Sequence, residues 1–236
     1  MMAEHDTSHS DVVPDKVAVA TFTIPTAPIV DESLTKPTKE EQEIKQKATI
    51  EIPPSSIIDD EVFITALVDL INAAYDEAEA GIFKPGYVRT SVQAITELVK
   101  ASELVVASVP AEYSAKSKSA RVPVGCISIK KLSDTRAELG MFAVSIAQRG
   151  TGLGRDLIAF GEQWCRDALG GPGVAVAQLD LLVPTHFEHA FKVRLGAWYS
   201  RLGYKIVGSR DFVADYPKMA PLMAGPTEYR VHEKTL

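Results

Sequence analysis

The chain has 236 residues, 46% of them hydrophobic and 24% charged, enough for one domain of ordinary size with a real core plus an extension. The formal net charge of −6 lacks the basic excess of a general nucleic-acid binder, so no nucleic-acid partner is expected. Two cysteines, Cys126 and Cys165, have no metal-ligand spacing, and no apolar run approaches the ~20 residues of a membrane helix; no metal, no membrane and a cytoplasmic address are expected.

Residues 1–47 are rich in Pro, Thr, Asp, Glu and Lys and begin without an apolar signal segment; they read as an arm, flexible or loosely docked. One apolar run within it, residues 17–24, is either an added strand or part of a mobile tail. The folded domain is expected over residues 48–236. ATIEI (48–52) alternates as a strand and stops at Pro53-Pro54. Asp59 or Asp60 can cap a helix to about residue 80, with Phe63, Leu67, Leu70, Ile71 and Ala74 at helical spacing and Gly81 at its end. A second helix follows Thr90, with Val92, Ile95, Leu98 and Val99 on one face. Residues 104–109 read as a strand and 111–121 as a loop. Residues 121–131 form a strand with Val122, Val124 and Cys126 on one face and Ile127 and Ile129 on the other. RAELGMFAVS (136–145) is the next strand. A glycine-rich turn opens a helix over about 152–169, and residues 174–183, almost wholly apolar, read as a central buried strand. A helix to about Leu202, a short strand at 204–207, a loop rich in Pro and Met at 216–226 and a last strand at 228–232 complete the order. The pattern is mixed α/β rather than strict βαβ alternation.

The turn Gln148-Arg149-Gly150-Thr151-Gly152-Leu153-Gly154 follows a strand and opens a helix. The first N–H groups of a helix have no internal partners and the dipole favours negative charge there, so the position suits an anion. Glycines let a phosphate approach the backbone, and Arg149 and Arg155 add positive charge. No Lys-Ser or Lys-Thr follows Gly154, so a P-loop is disfavoured. The GxGxG spacing, with Arg155 where a third glycine would stand, also disfavours a dinucleotide loop and hence a nucleotide-dependent oxidoreductase. A tight turn with no ligand stays open on the turn alone.

RGTGLG resembles the R/Q-x-x-G-x-G/A coenzyme A signature of the GNAT superfamily of acetyltransferases. AELGMFAVS (137–145) upstream and AWYSRLGYKIVG (197–208) downstream resemble that family's flanking motifs, in the right order. The resemblance spans about residues 48–236. It implies a single α/β mixed domain with a splayed, mostly antiparallel sheet flanked by helices. It implies acetyl-CoA as cofactor, with coenzyme A as product, and direct transfer of acetyl to a primary amine, a small molecule rather than a protein. A monomer or homodimer is expected.

Residue by residue, the resemblance implies that the backbone of Phe142, Ala143 and Val144 holds the pantetheine arm. A backbone N–H of a bulged strand would polarise the thioester carbonyl. The N–H groups from Arg149 through Gly154 (Arg149, Gly150, Thr151, Gly152, Leu153, Gly154) would hold the pyrophosphate, with the Thr151 hydroxyl and the Arg155 side chain as additions. Glu138 resembles the family's general base and Tyr199 its general acid for the departing thiolate. A surface Glu paired with a Lys or Arg, and a plain core Tyr, are the structural alternatives. Tyr204 reads as packing. His186 and His189 sit near the cleft mouth as alternative bases, and Arg194 as a phosphate or acid partner. Phe83, Tyr87, Tyr216, Met219 and Met223 are expected to form an apolar acceptor wall. The rival within the same fold is an acyl-CoA-binding sensor or scaffold without turnover.

Overall fold

The computed structural model describes residues 48–111 and 120–236. The expected arm at 1–47, its apolar run and most of the 111–121 loop lie outside the described residues. Within them a seven-stranded sheet runs in the order β1-β2-β3-β4-β5-β7-β6. The strands are β1 (Thr49–Glu51), β2 (Leu104–Pro110), β3 (Arg121–Lys131), β4 (Arg136–Val144), β5 (Val176–Pro184), β6 (Lys205–Asp211) and β7 (Thr227–Thr235). Every neighbouring pair is antiparallel except β4 and β5, which are parallel. This is the mixed α/β domain with a mostly antiparallel, splayed sheet that the sequence motifs imply.

Two helices cover one face. In α1 (Glu61–Ala78) the Asp60 carboxylate accepts from the Phe63 N–H at 3.1 Å, satisfying one of the helix's orphan donors. Phe63, Ile64, Leu67, Val68 and Ile71 then recur at helical spacing and bury together. In α2 (Val92–Lys100) Ser91 caps the Ala94 N–H, and Ile95 and Val99 turn inward. With Val106, Cys126 and Ala143 of the sheet these residues form one core layer.

The opposite face packs on α3 (Leu153–Ala168) and α4 (Ala190–Arg201). Leu157, Ile158 and Cys165 of α3 meet Ile127, Ile129, Leu139, Leu179 and Leu181. Close approach of α3 to β4 needs Gly161, where an added Cβ would lie 2.9 Å from Leu139 Cδ2. A third, smaller cluster joins Ile82, Phe83, Leu182 and Met223 with Phe212, which opens the single turn α5 (Phe212–Asp215).

The face assignment along β3 differs from strict alternation. Val124 packs with the α3 layer and Cys126 with the α1 layer. The cause is a register shift against β2: Ala107 faces Gly125 and Ser108 faces Pro123, leaving Val124 as an extra residue that flips the face. The last two strands also exceed their expected lengths. All seven residues of β6 are exposed at the sheet edge, so no apolar alternation marks them in sequence.

Leu157 is fully buried and sits between the sheet and α3. Leu157→Ala is expected to destabilise the domain by about 2–5 kcal/mol, read as a lower denaturant midpoint at unchanged slope.

Candidate active site

Parallel strands β4 and β5 share only three register pairs, Arg136 with Val176, Ala137 with Ala177 and Glu138 with Gln178. Beyond Glu138 they part. On its other side β4 carries a bulge: Cys126 faces Ala143 and Ser128 faces Gly140, so Met141 and Phe142 together oppose Ile127. Met141 sits at φ +41°, a left-handed conformation costly for a residue with a Cβ. The Cys126 thiol donates to the Met141 carbonyl at 3.4 Å, and burial pushes that thiol up to about 12. A Cys126 nucleophile is therefore disfavoured, because the thiolate is the reactive form.

Between the parted strands lies a cleft of about 480 Å³. One end is the glycine-rich turn. Gly150 at φ +77° and Gly152 at φ +98° have nothing within 4 Å of where a Cβ would be, so the backbone there faces open space. Gly154 has a different role. A Cβ on it would lie 3.1 Å from Phe142 Cζ and 3.7 Å from Trp198 Cη2, so its absence seats the stacked Phe142–Trp198 pair, 5.7 Å between centroids, on the first turn of α3.

Phe142, Ala143, Val144, Arg149, Gly150, Gly152, Gly154 and Arg155 all line this cleft, together with Glu138 and Tyr199. Thr151 and Leu153 do not. The Thr151 hydroxyl donates to the Gln148 carbonyl at 2.8 Å and accepts from the Leu153 N–H at 3.4 Å, closing the turn on itself. The Leu153 side chain is buried in the α3 layer. Arg149 spans the mouth, its guanidinium 2.7 Å from Glu77 on α1.

Glu138 is half-buried at the point where the strands separate. Its carboxyl titrates above the usual range, chiefly because burial penalises the charged form and also because Asp180 lies nearby. Among the described residues no ion pair to Glu138 occurs within 4 Å. Asp180, by contrast, is held by Arg210 and by Gln178 Nε2 at 3.0 Å. The Tyr199 ring is buried against His232, edge-on at 5.5 Å, and its phenol is raised well above the ordinary value by burial and then by Tyr75.

His186 is exposed with Nδ1 3.4 Å from the Pro226 carbonyl. His189 stands at the N-cap of α4, its imidazole lowered first by burial and then by Lys192. Neither lines the cleft, and nor does Arg194, which lies 6.0 Å from the Phe191 ring. The expected apolar wall is also corrected: Phe83, Tyr87, Tyr216, Met219 and Met223 do not line the cleft. Phe83, Tyr87, Met219 and Met223 bury against each other with Ile82 and Phe212. Apolar side chains gain more by forming that core than by facing water. The wall beyond Glu138 is instead Tyr75, Glu79, Arg89, Asp180, Lys192 and Tyr229. Of these only Asp180 left a sequence signal, an acid in an otherwise apolar strand.

A family model described as the acetyltransferase (GNAT) family matches residues 74–191, half of the chain. The chain belongs to the GNAT acetyltransferase family. No curated protein sequence matches this GNAT chain. Among solved structures it is similar to a PaiA N-acetyltransferase from Thermoplasma acidophilum in complex with coenzyme A, with a TM-score of 0.53 at 13% identity over 80% of this chain and 99% of that one. It is likewise similar to a chain of the NatC complex bound to Gag peptide and CoA, with a TM-score of 0.50 at 13% identity over 80% and 99%. At these identities the likeness is one of fold. Among the described residues of the GNAT domain, no helix is long and apolar enough to cross a membrane.

Gly152→Ala places a Cβ in the left-handed region with open space around it, so its cost is backbone strain alone. A loss of about 1–2 kcal/mol in chemical denaturation is expected.

Proposed function

We propose that the protein transfers acetyl from acetyl-CoA directly to a primary amine, in a complex that holds both substrates at once. The observation that carries this reading is the cleft itself. It joins an open glycine turn at a helix start to a desolvated carboxylate through a gap between two strands. Gly150 and Gly152, which leave the backbone on either side of Thr151 open, fit a pyrophosphate, and the first turn of α3 adds its dipole. Phe142, Ala143 and Val144 fit a pantetheine arm that lies along the free edge of β4.

Acetyl-CoA supplies an activated acyl carbon as a thioester. Glu138 takes the proton that the acceptor ammonium must lose before its nitrogen can attack. Desolvation raises Glu138 toward the pKa a base needs near neutral pH. A backbone N–H in the Met141 bulge faces the carbonyl oxygen as negative charge develops there. As the new C–N bond forms and the C–S bond breaks, Tyr199 gives its phenolic proton to the sulfur. Burial keeps that phenol protonated until the thiolate appears. The proton on Glu138 then passes to solvent, and the second proton, which the nitrogen sheds as the amide forms, restores the Tyr199 phenol by way of water. A small-molecule acceptor is preferred to a protein because Glu138 is half-buried in a cleft walled by charged side chains.

Calorimetric titration with acetyl-CoA and assay of thiol release over an amine panel test the proposal. Binding without thiol release for any amine would identify a sensor instead. Tyr199→Phe is expected to lower kcat by about 10²-fold or more with acetyl-CoA affinity retained; an unchanged kcat would remove the acid role. The rate in kcat/KM is expected to rise with pH through a value above the ordinary Glu range of about 4.3, since only ionised Glu138 accepts a proton. Glu138→Gln should abolish that limb, and an unaltered profile would remove the base role.

A further inference from the structure

The cleft wall beyond Glu138 carries more positive charge than the fold consumes. Lys192 and Arg89 both face one carboxylate, Glu79, whose Oε1 lies 3.6 Å from Lys192 Nζ and 4.0 Å from an Arg89 amine. Both separations exceed hydrogen-bond contact. The Lys192 side chain is only 5% exposed, and the Glu79 side chain likewise. Arg89 lies with its guanidinium carbon 4.5 Å from the centre of the Tyr75 ring, which leaves its N–H fork unengaged by any carboxylate at close range. Two cations thus share one close carboxylate in a water-poor wall, and such burial is costly. Burial accordingly depresses Lys192, with Glu79 opposing.

A matching imbalance of the other sign stands on the cleft floor. Asp180 pairs with Arg210, which it shares with Asp215, whereas Glu138 has no ion pair within 4 Å among the described residues. The phenol of Tyr229 is within electrostatic range of Arg89, Glu79 and Glu138. A single cavity therefore holds a carboxylate without a close ion pair and two cations that share one acid. That arrangement is complementary to a zwitterion.

We infer that the acceptor is an amino acid-like molecule, whose ammonium meets Glu138 and whose carboxylate docks between Arg89 and Lys192. This rests on the acetyl-transfer reading above and narrows its acceptor. An amine without an anionic group would leave the two cations with only Glu79 to share, which is the condition under which a polar site discriminates strongly.

The test uses the full chain saturated with coenzyme A and matched pairs of acceptors that differ by one carboxylate, such as β-alanine with ethylamine and 4-aminobutyrate with propylamine. Thiol release from acetyl-CoA gives kcat/KM for each, and calorimetry gives binding where turnover is slow. A preference of about 100-fold or more for a carboxylated member is expected. In Arg89→Gln and in Lys192→Met the two members of a pair should converge, a ratio that partial loss of folded protein does not move. Equal use of both members, or a preference that survives both substitutions, overturns the inference while leaving acetyl transfer standing. Absence of calorimetric binding by every carboxylated amine also overturns it. Failure of acetyl-CoA itself to bind, in a separate titration, would instead remove the reading on which it rests.

Discussion

The cleft depends on an interrupted hydrogen-bond ladder. Parallel strands β4 and β5 pair only at their beginnings, and β4 then runs on without that partner to Val144. Backbone N–H and C=O groups in a protein interior need partners, so an unpaired strand edge between two covered faces is an offer to a ligand that can itself behave as a strand. The helices keep the gap open from both sides. Leu139 anchors β4 to α3 across Gly161, while Ala143 and Met141 lean on the α1 layer.

The chemistry follows from the faces this geometry separates. Leu139 faces α3, so Glu138 beside it in the strand projects to the other side. The same alternation on β5 sends Leu179 and Leu181 to the α3 and α4 side and Asp180 to the side of Glu138. Tyr199 stands on α4, on the far side of the gap. A carboxylate and a phenol that would otherwise be on opposite surfaces of a continuous sheet thus line one cavity. Burial raises both groups, the carboxyl toward neutrality and the phenol further into its protonated form.

Much of this was legible in sequence because it rests on local rules. Apolar spacing marked α1 and α2, the glycine turn marked the start of α3, and the almost wholly apolar 174–183 run marked the central strand. The flanking motifs brought Glu138, Tyr199 and the turn to one cleft. What escaped depends on register. The extra residue at Val124 inverts the face of part of β3, and its only trace in VPVGCISIK is the flanking Pro123 and Gly125. Edge strand β6 lacks apolar alternation because it has no buried face. The acceptor wall was misread because aromatic and Met residues in loops are equally good at lining a cavity or at making a core, and here they make a core. Arg89 and Lys192 come from a loop and a helix over 100 positions apart in sequence, and only the fold sets them on one carboxylate.

The ion pair between Arg149 and Glu77 gives the cleft a further property. Glu77 is two residues from Glu79 at the end of the same helix, so one short stretch of α1 touches the glycine turn at one extremity and the cationic wall at the other. Any anion that competes for the Arg149 guanidinium alters the charge balance on that stretch.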